Sequence, residues 1–249
     1  MPLPRGLVWG AAIVAASSAT VYLLNFANSL SPDAPLIETI NAIVFETSFG
    51  QWWIIRVVFL AGLVASVLVS DLACPVLLFS GVILFSENGL GHAAADGLLS
   101  RISIVVHALA AATWLGGLTT LLATIQWRSR NEKFDYARWL QTTRMLYRFS
   151  AIGVVAVGLL ILTGLFNVWM RLGDFQPRIN MYDRMLLLKI TLVAAMLCFA
   201  ILNRTILLPR LVSKPQSHQA LRSSMAFEQI AGILVLLITA ALGQMSPAG

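Results

Sequence analysis

The sequence predicts an all-α, polytopic transmembrane bundle of about seven spans. Three observations carry this. The chain is 58% hydrophobic and only 11% charged over 249 residues, against about 25% charged in a soluble domain. Its mean hydropathy of +0.82 leaves too little polar surface to cover a water-soluble fold. Its apolar residues fall in runs close to the roughly 20 residues that cross a bilayer as a helix, and the loops between them are short. The chain reads as one transmembrane domain, 1–249.

The first span is expected at about Leu7–Leu30. Its start, MPLPRG, also resembles a signal peptide. The uncharged stretch continues through Val21–Phe26, longer than a usual signal core, so a retained helix is expected. An acidic loop with Asp33, Glu38 and Glu46 follows, with room for a short interfacial helix. Span two, about Trp52–Ser70, opens on a Trp52–Trp53 pair suited to the membrane interface. Span three, about Leu72–Phe85, is short, entered through Asp71 and interrupted by Pro75. Span four is about Ile102–Trp127, followed by a basic loop. Spans five, six and seven are about Phe149–Met170, Met185–Leu208 and Met225–Met245.

Charge sets the orientation. With the N-terminus inside, the cytoplasmic side receives Arg5, Arg128, Arg130, Lys133, Arg138, Arg144, Arg148, Arg204, Arg210, Lys214 and Arg222. The outer side receives Arg101, Arg171, Arg178 and Arg184, with most of the acidic residues. This follows the positive-inside rule and predicts N-in, C-out. The same rule accounts for the net charge of +6 without nucleic acid as a partner. Membrane lipid is the expected surrounding. The chain has no GxxxxGK[ST] phosphate loop and no GxGxxG, and no serine or carboxylate constellation of hydrolytic type, so it is not expected to be an enzyme. Cys74 and Cys198 lie far apart in apolar segments and predict no disulfide framework.

Few residues can carry chemistry. His107 lies five residues inside span four, about 7–8 Å from its outer end. Imidazole at this depth is either a transition-metal ligand or a group bonded to a neighbouring helix. His92, in the loop GLGHAAADG, can fold over the bundle mouth or stand exposed. His218 is in a basic inner loop and is expected to be solvated. The soft donors Met170, Met181, Met185 and Met245 fall near the outer face, Met196 and Cys198 near mid-membrane, and Cys74, Met145 and Met225 near the inner face. Thioethers and thiolates select Cu(I), and a descending row of them would pass it along. Methionine is equally a filler of apolar cores. Glu46 is an outer-surface ligand or an ion-attracting charge. Arg56 and Lys189 pair with Glu46 or Asp183, or snorkel to the headgroups. Thr163 and Asn167 share a helix face. Glu228 is a proton relay or a solvated interfacial carboxylate. The glycines of spans four and five read as sites of close helix packing.

The order of these residues resembles the CopD family of copper-resistance membrane proteins. The resemblance rests on TSFGQWWIIR (Thr47–Arg56), GHAAADG followed by His107, and WLGGL (Trp114–Leu118). It continues through RFSAIGVVAVGLLILTGLFN (Arg148–Asn167), YDRMLLLKITL, NRTILLPRL and Glu228 with its apolar helix, covering residue 45 to the end. It implies a bacterial inner-membrane protein that moves copper from periplasm to cytoplasm, beside a separate periplasmic CopC-like carrier. His92 and His107 are the copper-site candidates it suggests, and the soft donors point to the ion as Cu(I). It also implies eight spans, where hydropathy gives seven. Two other readings stand beside transport. One is a non-transporting copper chaperone or assembly factor. The other is a haem or redox subunit, for which only a His–Met pair would be available.

Overall fold

The structure is a computed structural model and describes residues 5–31, 34–69, 73–86, 97–131, 136–172, 181–213 and 218–242. Every element within these is helical: α1 (Arg5–Leu30), α2 (Leu36–Glu46), α3 (Ser48–Val69), α4 (Ala73–Ser86), α5 (Gly97–Asn131), α6 (Tyr136–Leu172), α7 (Met181–Leu202), α8 (Leu208–Ser213) and α9 (His218–Leu242). A π-helical turn, Asn203–Leu207, joins α7 to α8. Among the described residues, six segments are long and apolar enough to cross a membrane. They contain α1, α3, α5, α6, α7 with the start of α8, and α9. The expected third span is the 14-residue helix α4, about 21 Å long at the usual rise. The expected interfacial helix is α2.

Several helices run past the spans expected from the sequence, and two of these differences shape the fold. The basic stretch after span four is mostly helical, because α5 runs on to Asn131 and α6 starts at Tyr136. The residues from Tyr136 to Arg148 include no Gly or Pro and are rich in helix formers such as Ala, Arg, Leu, Gln and Met. Span six was expected to stop at Leu208, ahead of Pro209. Instead the helix passes through Pro209 to Ser213 by widening the preceding turn, with Leu208 N–H donating to the carbonyl of Asn203 five residues back. Proline lacks an N–H, and its ring crowds the carbonyl four residues before it. A wider turn relieves that crowding.

The chain divides into two compact units, residues 1–109 and 110–249. In the first, α3 packs on α1, α2 and α4. Leu23, Ala27, Ile43, Val44 and Phe49 form one core, with Tyr22 and Phe26 stacked on the Phe49 ring. The corner between α2 and α3 needs Gly50. A Cβ there would lie 2.2 Å from the Ile43 carbonyl oxygen. Thr47 closes the same corner, donating to the Ile43 carbonyl and accepting from Gly50 N–H at 3.0 Å. Arg56 does not snorkel: it is 4% exposed and donates from Nη2 to Ser18 Oγ at 3.3 Å. One turn earlier, Trp53 Nε1 donates to the Ala19 carbonyl at 3.1 Å.

In the second unit α7 lies along α9. One core joins Ala110, Trp114, Ala156 and Met196. A second joins Leu118, Leu121, Leu146, Leu208, Leu221 and Met225. The glycines of spans four and five divide. Gly117 is pressed against the Phe149 ring, which a Cβ would approach to 2.3 Å, whereas Gly116, Gly153 and Gly158 have open space around them. Many Ile, Val and Leu side chains in both units are exposed, as suits helices that meet lipid tails rather than water.

Candidate functional site

The second unit builds a polar centre inside its apolar bundle. Glu228 sits on α9 nine residues into the spanning segment Gln219–Leu242, about 14 Å along the helix. It is 2% exposed, so it is not the solvated interfacial carboxylate that sequence position allowed. Trp114 Nε1–H on α5 donates to its Oε1 at 2.8 Å. Asn203 Nδ2–H, at the first position of the π-helical turn, donates to its Oε2 at 2.9 Å. Both donors are neutral, and among the described residues no cation pairs with this carboxylate. A buried charge is ordinarily paired or bound to a metal. The oxygen of the same Asn203 amide, Oδ1, is buried with no hydrogen-bond partner.

A cavity of about 300 Å³ adjoins this centre, lined by Trp114, Ser150, Asn203, Arg204, Met225 and Glu228 among mostly aliphatic neighbours. Arg204 is exposed and turned toward α6, where Nη1 donates to the Ser150 carbonyl at 2.8 Å and to Ser150 Oγ at 3.0 Å. The π-helical turn positions this edge, placing Asn203 toward α9 and Arg204 toward α6. Turns of this kind are frequent at functional sites.

The residues singled out from the sequence are distributed as follows. His107 is the eleventh residue of α5, about 15 Å from the helix start. That is deeper along the helix than expected, because α5 begins earlier, at Gly97. The residue is half-buried and has an interaction partner. Glu46 is exposed at the end of α2, Met170 is exposed near the end of α6, and Met181 is exposed at the start of α7. Met185 is half-buried one turn after Met181, on the same face. Met196 is buried at 3% exposure in the core with Trp114, while Cys198 is an exposed free thiol. Two positions apart on one helix, these two donors point to different sides. Thr163 Oγ1 donates to the Leu159 carbonyl of its own helix. His92, Met245 and Asp71 lie outside the described residues, as do the side chains of His218 and Cys74. Among the described residues no three His, Cys, Asp or Glu side chains gather into a metal site.

Sequence reasoning placed Glu228 as a relay candidate but assigned no role to Trp114, Asn203, Arg204 or Ser150. Their signal was present in the quoted motifs. WLGGL supplies Trp114 and Gly117, RFS supplies Phe149 and Ser150, NR supplies Asn203 and Arg204, and the last helix supplies Glu228. These short motifs meet pairwise: Trp114 and Asn203 on Glu228, Arg204 on Ser150, Gly117 on Phe149.

Comparison with known proteins agrees with this pattern. Residues 143–242 match the family model described as Copper resistance protein D. Residues 1–102 match that of the Copper resistance protein D-like, N-terminal domain. The chain is 28% identical to Copper resistance protein D of Pseudomonas syringae pv. tomato, over 98% of this chain and 84% of that protein. It is 32% identical to Inner membrane protein YebZ of Escherichia coli (strain K12), over 68% of this chain and 58% of that protein. It is 25% identical to Copper transport protein CutJ of Bacillus subtilis (strain 168), over 81% of this chain and 37% of that protein. No solved structure matches the chain. Two models of one family, matched in chain order along a bundle of apolar helices, give the assignment: this chain belongs to the copper resistance protein D (CopD) family and is a multi-pass membrane protein.

Proposed function

We propose that this protein transports copper, as Cu(I), from the periplasm to the cytoplasm across the bacterial inner membrane. Membership of the copper-resistance family supports copper as the cargo. The names of its relatives, one an inner-membrane protein and one a copper transport protein, support the location and the activity. The observation that carries a transport reading is the buried carboxylate of Glu228 beside a cavity at membrane depth. Ionisable groups there are costly and mark ion pathways.

In this reading His92 and His107 capture the ion at the outer face, where Glu46 adds negative charge. Met170, Met181, Met185 and Met245 are further soft donors on that side. Met196 is the mid-membrane donor. Cys198, which faces away from it, serves a different side of α7. A periplasmic CopC-like carrier would deliver the ion as a separate chain. Conduction needs sites strong enough to accept an ion and weak enough to release it, which soft donors at several depths would supply.

The test is Cu(I) uptake into proteoliposomes holding the purified chain, beside His107→Ala. Uptake by the wild-type chain that collapses in the variant supports transport and the role of His107. Binding without uptake removes the transport reading and favours a chaperone or assembly role.

A further inference from the structure

We propose that Glu228, the Oδ1 of Asn203 and the thioether of Met225 form an intramembrane binding station for a single Cu(I) ion, using the adjoining cavity. This deepens the transport reading and rests on it for the identity of the cargo.

Charge is the first argument. Glu228 is buried at membrane depth and its oxygens meet only two neutral donors, Trp114 and Asn203. A carboxylate in that setting lacks a counter-charge. Arg204 is the other charged residue of the cavity lining. It is exposed, bonded to Ser150, and not bonded to Glu228. A monovalent cation beside Glu228 makes the loaded station neutral.

Donor chemistry is the second. Asn203 Oδ1 is a buried acceptor with nothing to accept from, so a cation would satisfy it where a further acceptor would not. Met225 lies three residues before Glu228 on α9, hence on the same face. It is 3% exposed and lines the same cavity. The station therefore offers two oxygen ligands and one soft sulfur. Hard ions such as Ca²⁺ or Mg²⁺ take about six or more oxygens. A thioether selects Cu(I), with the carboxylate supplying charge.

Space is the third. The cavity of about 300 Å³ is far larger than a bare ion, so there is room for one beside Glu228 and Met225.

The experiment titrates Cu(I), held reduced by ascorbate, against a competing chromogenic chelator. It uses the full chain in lipid nanodiscs, comparing wild type, Glu228→Gln and Met225→Leu. Circular dichroism and elution volume check the fold of each. Glu228→Gln is expected to bind one Cu(I) fewer per chain. Met225→Leu is expected to keep the stoichiometry with affinity lowered roughly tenfold or more, as loss of support at a metal site usually costs. Wild-type titration curves for both variants overturn the station, and Met225→Leu carries the decision alone where Glu228→Gln fails to fold. Retention of radioactive sodium that Glu228→Gln abolishes, with the copper titration unchanged, overturns copper as the occupant. Uptake assays on the same preparations separate the two readings. A wild-type chain that binds at Glu228 but moves no copper keeps the station and loses transport. A chain that moves copper while Glu228→Gln binds like wild type keeps transport and loses the station.

Discussion

Trp114 and Glu228, 114 positions apart in the chain, are joined at 2.8 Å inside the second unit, each almost wholly sealed from its surroundings. The indole can only donate, so the Glu228 oxygen accepts. Removing the donor leaves a carboxylate oxygen stranded at membrane depth. Trp114→Phe is therefore expected to destabilise by about 1–3 kcal/mol, the cost of an unsatisfied buried group. That exceeds the roughly 0.6 kcal/mol typical of hydrogen bonds between membrane helices. Glu228→Gln is expected to cost less, because the amide oxygen still accepts from Trp114 and its NH₂ can donate to a reversed Asn203 amide. Thermal unfolding of both variants in detergent, with the double variant, checks the order, and a costlier Glu228→Gln would contradict it.

Gly117 and Phe149 supply a second test. A methyl group at Gly117 would meet the Phe149 ring at 2.3 Å, and overpacking of this kind usually costs about 1–3 kcal/mol. Gly117→Ala should lower the unfolding temperature, and Phe149→Leu in the same chain should recover part of the loss. Gly116→Ala, with open space around it, should be close to neutral. Equal losses at 116 and 117 would mean that the Phe149 ring does not set the requirement, since helix propensity favours alanine at both positions.

Gly50 faces backbone rather than a side chain. Its Cβ would lie 2.2 Å from the Ile43 carbonyl oxygen and 2.3 Å from that of Val44, and neither can swing aside without opening the α2–α3 corner. Gly50→Ala is expected to be worse than Gly117→Ala, with sharply reduced yield of folded protein by fluorescence-detected size exclusion. Gly10→Ala on α1, where nothing lies within 4 Å, is the control and should express normally.

Met196 separates packing from ligation. It is 3% exposed within the core that holds Trp114. Met196→Leu preserves volume and should cost under about 1.5 kcal/mol, whereas Met196→Ala should cost about 2–5 kcal/mol. Copper uptake measured on Met196→Leu then isolates the sulfur. Lost uptake at near-normal stability makes Met196 a ligand, and unchanged uptake makes it core. Cys198→Ser, at an exposed position, should leave stability unchanged.

Hydropathy made the helical bundle legible because lipid obliges each span to satisfy its own backbone. That constraint acts residue by residue and leaves its trace in the sequence as the runs that became α1, α3, α5, α6, α7 and α9. It does not say where helices extend past the apolar run, so the first turns of α6 carry no hydropathy signal of a helix. Nor does it say how a helix passes Pro209. The site was legible only in fragments. Asn203, Arg204 and Ser150 are unremarkable polar residues until tertiary packing brings α6, α7 and α9 together. Position near a span end left Glu228 open to solvent, and only the indole and amide packed over it exclude that. The histidine and methionine candidates came from donor chemistry, which ranks what a side chain can bind and is blind to which way it points, as the divergence of Met196 and Cys198 shows.

The widened turn at Asn203–Leu207 holds one more residue than an ordinary helical turn would. Each residue of an α-helix advances the azimuth by about 100°. The widened turn takes up that extra residue, so the segments before and after it stay in phase. Deleting one residue between 204 and 207 would let an ordinary turn close there with both segments unrotated, yet abolish the widening that sets Asn203 toward Glu228 and gives Pro209 its room. In this helix, chain length is itself a coordinate of the site.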